Sequence, residues 1–125
     1  MSHPEIKEPS AGHPITIEST RGRVQVRING ELVADTTSAL ELREATLPAV
    51  QYIPLGDVVQ EVLTRTDTST YCPFKGEASY YSVTTAGGET VEDAIWTYEA
   101  PYPAVAAIAG HVAFYPHKAE IEVVA

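Results

Sequence analysis

The stretch Arg23-Val24-Gln25-Val26-Arg27-Ile28-Asn29-Gly30-Glu31-Leu32-Val33-Ala34 sets the fold class. Val24, Val26 and Ile28 alternate with charged and polar neighbours, and a period of two marks a half-buried strand. Asn29-Gly30 follows, and both residues tolerate the positive φ that a tight hairpin turn demands. Glu31 to Ala34 then reads as the returning strand, and a two-residue turn predicts Val26 opposite Val33. A second hairpin has the same grammar. Ala78 to Thr84 is rich in Tyr, Ser, Val and Thr. Ala86-Gly87-Gly88 turns it, and Thr90 to Tyr98 returns.

Outward from these hairpins the chain keeps to short apolar runs bounded by turn residues. Ala39 to Arg43 and Gln51-Tyr52-Ile53 read as strands, as do His111 to Tyr115 and Ala119 to Val124. Asp57 stands before an apolar stripe of Val58, Val59, Val62 and Leu63, which predicts a short capped helix. Thr64 to Thr70 is polar and reads as a return loop. Ala104 to Ile108 reads as one helical turn. Residues 1–14 carry three of the nine prolines and predict a flexible arm. Residues 15–125 predict a single β domain. The expected fold is all-β, with folded-over antiparallel sheets of about eight strands and one or two short helices.

Composition narrows the function classes. Seventeen acids against eight bases give a net charge of −9, which argues against nucleic acid as a partner. No apolar run approaches the length of a membrane span, and the N-terminus lacks an apolar leader core. One cysteine permits neither an internal disulfide nor a cysteine zinc site, which points to a reducing, cytoplasmic setting. His3 and His13 lie in the arm. His111 and His117 lack the spacing of a metal site, so neither a metal nor another cofactor is expected.

The candidate site centres on Thr70-Tyr71-Cys72-Pro73-Phe74-Lys75-Gly76. Cys72 has two readings. It is a nucleophile or redox centre, since a nearby ammonium such as Lys75 favours a thiolate, or it is a small apolar residue buried beside a rigid proline. Trp96 and Tyr98 share one strand face and Tyr80 can join them. Together with Tyr52 they form either plain core or the wall of a pocket. Placing Lys75 beside the Trp96–Tyr98 face predicts a concave site for a small polar or anionic molecule, with cation–π attraction. The competing class is an enzyme using Cys72. It is weaker, because no base is assigned to the thiol and no resolving cysteine exists.

Several segments together resemble one bacterial family, catalogued as domain of unknown function 427. They are Val33-Ala34-Asp35-Thr36, Tyr52-Ile53-Pro54 with Asp57-Val58, the Cys-Pro-Phe-Lys-Gly run, Ala78-Ser79-Tyr80, Asp93 to Tyr98, and Gly110 to Tyr115. They cover residues 22 to 117 in the family's order. Leu55-Gly56 departs from the charged residues the family often carries there. The resemblance implies a β-tent fold, similar to methionine sulfoxide reductase B and small zinc-binding β domains. This chain lacks their paired Cys-x-x-Cys elements, so the fold is expected to be metal-free. One label of the family hints at nucleotidyltransferase activity, but the sequence shows no paired-aspartate metal motif.

Overall fold

The structure is a computed structural model that describes residues 5–125. Residues 1–4, with His3 and the start of the arm, lie outside the described part. Ten strands follow in order: β1 (Ile15–Ser19), β2 (Arg23–Ile28), β3 (Glu31–Thr36), β4 (Leu40–Glu44), β5 (Val50–Pro54), β6 (Leu63–Cys72), β7 (Gly76–Thr84), β8 (Thr90–Thr97), β9 (His111–Phe114) and β10 (Glu120–Val124). Every pairing is antiparallel. Seven strands form one sheet in the order β1-β4-β5-β9-β8-β7-β6, and β10-β2-β3 form a second. The chain is therefore all-β, as its alternating segments predict. Among the described residues no helix is long and apolar enough to cross a membrane.

The β2–β3 hairpin turns at Asn29-Gly30, with φ of 51° and 80°. The predicted register is wrong beyond the turn. Val26 lies opposite Ala34, not Val33, because β3 carries an extra residue at the step between Val26 and Arg27. Such a bulge puts two consecutive side chains on the buried side, and Val33 and Ala34 are both buried. It also frees the outer edge of β3. Val33 C=O accepts from Val59 N–H at 2.8 Å, and Ala34 forms a bridge with Val58.

That attachment explains why the helix expected after Asp57 does not form. The segment is two 3₁₀ turns, Leu55–Asp57 and Gln60–Val62, separated by extended Val58 and Val59. Val59 is drawn to the edge of β3, and β-branched residues resist continuous helix. The Asp57 carboxylate does not cap. It accepts from the Thr36 hydroxyl at 2.7 Å. The third short helix, Pro103–Ile108, is 3₁₀ as well and buries Val105 and Ile108.

Thr64 to Thr70 is strand, not loop. It forms most of β6 at the edge of the large sheet, where threonine's branching suits extended backbone and no apolar face is needed. Residues between Arg65 and Ser69 bulge away from β7, and β8 bulges at Asp93, whose φ is 46°. The two irregularities lock together, since the Asp93 carboxylate accepts from Thr66 and Thr68 hydroxyls at 2.7 and 2.6 Å. An edge bent this way is a poor template for further strands.

The large sheet buries apolar side chains on both faces. One face meets the small sheet. Val24, Val26, Ile28 and Val33 pack there against Ile53, Val83, Ile95, Val112 and Phe114. The other face carries Leu42, Tyr52, Ala78, Tyr80, Tyr98 and Ala113, with Val105 and Ile108 of the third 3₁₀ segment packed against it. Strand alternation assigns the faces, so Ile53 and Tyr52 point opposite ways, as do Phe114 and Ala113.

Candidate functional site

The second face holds a cavity of about 250 Å³. Pairing register brings its walls together. Tyr80 of β7 lies directly opposite Trp96 of β8, and Trp96 lies opposite Ala113 of β9. Tyr98 and Tyr115 follow two residues further along those chains. From the other side, Leu42 of β4 pairs with Val50 of β5, placing Tyr52 two residues along on the same face. Tyr52, Lys75, Tyr80, Trp96 and Tyr98, all singled out from the sequence, line this one cavity. Glu44, Leu47, Pro48 and Tyr115 complete its rim and walls.

The aromatic rings contact one another around the space. Tyr52 meets Trp96 edge-on at 6.4 Å between centroids, and Tyr115 lies tilted against Trp96 at 4.5 Å. Tyr80 and Tyr115 are stacked at 6.5 Å. Trp96 Nε1–H donates to the Tyr52 hydroxyl at 3.2 Å. Tyr80 shares a hydrogen bond with the Thr70 hydroxyl at 2.8 Å and accepts from Tyr115 at 3.3 Å. Burial pushes the Tyr52 and Tyr98 hydroxyls well above the ordinary tyrosine value. Burial and the bond to Tyr80 push Tyr115 up to about 12.

Lys75 comes from the turn between β6 and β7, where Lys75 N–H donates to Cys72 C=O at 3.2 Å. Gly76, at φ 115°, then redirects the chain into β7, a backbone that side chains with a Cβ rarely adopt. Lys75 is only 7% exposed. The cation–π contact expected with Trp96 or Tyr98 is not made; among the described residues the only such contact is Lys118 over Tyr115. The Lys75 ammonium instead pairs with Glu44 Oε1. His13 Nε2 holds Glu44 Oε2 at 2.7 Å, and the His13 ring stacks on Phe74 at 4.0 Å.

Sequence reasoning did not find Glu44 or the role of His13. Glu44 continues the Leu40–Leu42 alternation of β4, so its face was legible. Its partner Lys75 lies 31 residues away, and no local pattern joins them. The described part of the arm runs close by. Lys7 N–H donates to Pro73 C=O at 2.8 Å, and the Tyr71 hydroxyl donates to Glu5 C=O at 2.5 Å.

Burial acts to raise the Glu44 pKa, but hydrogen bonds from Lys75 and His13 outweigh it and hold the carboxyl below its ordinary 4.5. A carboxylate with a depressed folded-state pKa stabilises the fold above its unfolded value, and that stability is lost as pH falls through the folded one. Urea midpoints are therefore expected to drop on acidification below about pH 4.5, more in the native chain than in Glu44→Gln. Equal slopes for both proteins would show that Glu44 is not the linked group.

Cys72 is half-buried, with Sγ 3.9 Å from the Lys75 ammonium, and packs at the edge of the cavity-side cluster without lining the cavity. His111 Nδ1 and Ala109 O lie 2.9 Å apart, and His117 lies against Tyr115. Among the described residues no three His, Cys, Asp or Glu side chains gather as a metal site would require. None of the curated proteins compared with the chain matches it. The family model described as Domain of unknown function (DUF427) matches residues 16–125, nearly the whole described domain, and the chain belongs to that family.

Proposed function

We propose that this domain binds a small polar molecule in the cavity between Lys75–Glu44 and the tyrosine–tryptophan wall. The supporting observation is the convergence of a buried ion pair and five aromatic rings on one space. Ligand sites combine apolar walls with a few placed polar groups, and this half-open cleft has both. At roughly 30 Å³ per water-sized unit the space suits a ligand of about eight to ten non-hydrogen atoms. The single thiol suits a reducing compartment.

Trp96 is the chain's one tryptophan, so its emission reports on the cavity directly. Fragments of this size are expected to change that emission saturably at micromolar to millimolar concentration. Val50→Phe, which fills the cavity from β5, is expected to abolish the response while the protein stays folded. Fragments that bind Val50→Phe as well as the native chain would place the ligand elsewhere.

A second reading rests on the closeness of Cys72 Sγ to the Lys75 ammonium, and makes Cys72 a catalytic nucleophile. It requires iodoacetamide to label the folded protein faster than it labels a cysteine peptide. Slower labelling in the folded state removes it.

A further inference from the structure

We infer that the cavity takes a neutral, planar ring compound bearing a carbonyl or carboxamide group, an inference that rests on the binding role proposed above. The decisive group is the Tyr98 hydroxyl. Tyr98 is 8% exposed and lines the cavity, yet its hydroxyl makes no hydrogen bond among the described residues. The neighbouring Tyr52, Tyr80 and Tyr115 hydroxyls are all engaged. Among the described residues no side-chain polar atom fully sealed from solvent lacks a partner, so the Tyr98 hydroxyl keeps contact with solvent, and Tyr98 lines the cavity. A ligand that displaces solvent from the cavity would leave that hydroxyl unsatisfied, at a cost, unless it brings a polar atom of its own.

The other polar groups define that atom further. An ammonium has three N–H donors. Glu44 takes one from Lys75, and the weak acceptor Cys72 Sγ lies at 3.9 Å. A donor remains for an incoming oxygen. Glu44 already holds the Lys75 ammonium on one oxygen and His13 on the other, so a ligand ammonium at that carboxylate would sit beside the like charge of Lys75. Charge decides between a carbonyl and a carboxylate. The Lys75 charge is already balanced by Glu44, so an anionic ligand would set its carboxylate beside that of Glu44. A net charge of −9 on the whole chain adds to the repulsion. A neutral carbonyl avoids that cost. An amide nitrogen beside it can donate to Tyr98, and a flat ring would find aromatic side chains to pack on.

Benzamide, benzoate and benzylamine share one ring and differ in charge. Each is titrated into the native chain and Tyr98→Phe at pH 8, with Trp96 emission and backbone amide NMR shifts as readouts. Benzamide is expected to bind at least about tenfold more tightly than the two charged analogues. Tyr98→Phe, which removes only an unpartnered oxygen, is expected to fold normally and weaken benzamide about five- to tenfold. Tighter binding of benzoate or benzylamine overturns the neutral class while leaving the cavity as the site. Unchanged benzamide affinity in Tyr98→Phe overturns the role of the hydroxyl. If only ring-free fragments bind, the ring class falls and the site stands. If no fragment of any class binds, both readings fall.

Discussion

Lys75→Met is expected to lower the free energy of unfolding by about 3 kcal/mol, because it leaves the Glu44 carboxylate buried with one partner in place of two. The side chains of Lys75 and Glu44 are only 9% and 13% exposed, so neither charge is well hydrated when its partner is lost. For a domain of this size the loss corresponds to a fall of roughly 10 °C in thermal midpoint. Surface pairs such as Arg43–Glu41 and Arg65–Glu99 are far more exposed, and their removal is expected to change stability by about 1 kcal/mol or less. The double variant Lys75→Met/Glu44→Leu replaces both charges with apolar groups. It is expected to recover most of what the single variant loses, since desolvation is then relieved on both sides. Urea unfolding of the native chain, Lys75→Met, Glu44→Leu and the double variant closes the cycle. A coupling near zero would mean that the pair is solvated and not part of a desolvated site.

That pair also shows where sequence reading stops. The hairpins were legible because their signals are local. Asn29-Gly30 needs only its own φ angles, and Tyr80, Trp96 and Tyr98 share a face because strands alternate. The cavity's aromatic wall was therefore visible in the sequence, as was Lys75 in its constrained turn. Errors arose where tertiary contacts override local preference. Val33 and Ala34 are both buried because a bulge answers to the segment at Val58 and Val59, which no turn rule encodes. The stripe from Val58 to Leu63 resembles a helix face, yet the edge of β3 claims its middle. β6 was missed because an edge strand needs no apolar alternation. Glu44 was missed for a different reason. A carboxylate at the end of a strand is ordinary, and only the folding of β4 beside the β6–β7 turn makes it the partner of Lys75.

Phe114→Ala is expected to destabilise the domain by about 4 kcal/mol. Phe114 is 2% exposed and sits in the layer between the two sheets, surrounded by Ile95, Val112 and the valines of β2. Removing its ring leaves a void that two packed sheets cannot close by shifting one side chain. Its neighbour Ala113 points to the opposite face, into the cluster that carries the cavity. The large sheet thus separates the inter-sheet core from the face that carries the cavity. In the fraction that remains folded, Phe114→Ala is expected to keep the native Trp96 emission and the native fragment affinities. Tyr98→Phe is expected to do the reverse, changing affinity with little change in the urea midpoint. Chemical unfolding paired with fragment titration on both variants separates the two faces. Should Phe114→Ala weaken fragment binding as much as it weakens the fold, the two faces are mechanically coupled, and the cavity is shaped by the inter-sheet core as well as by its own walls.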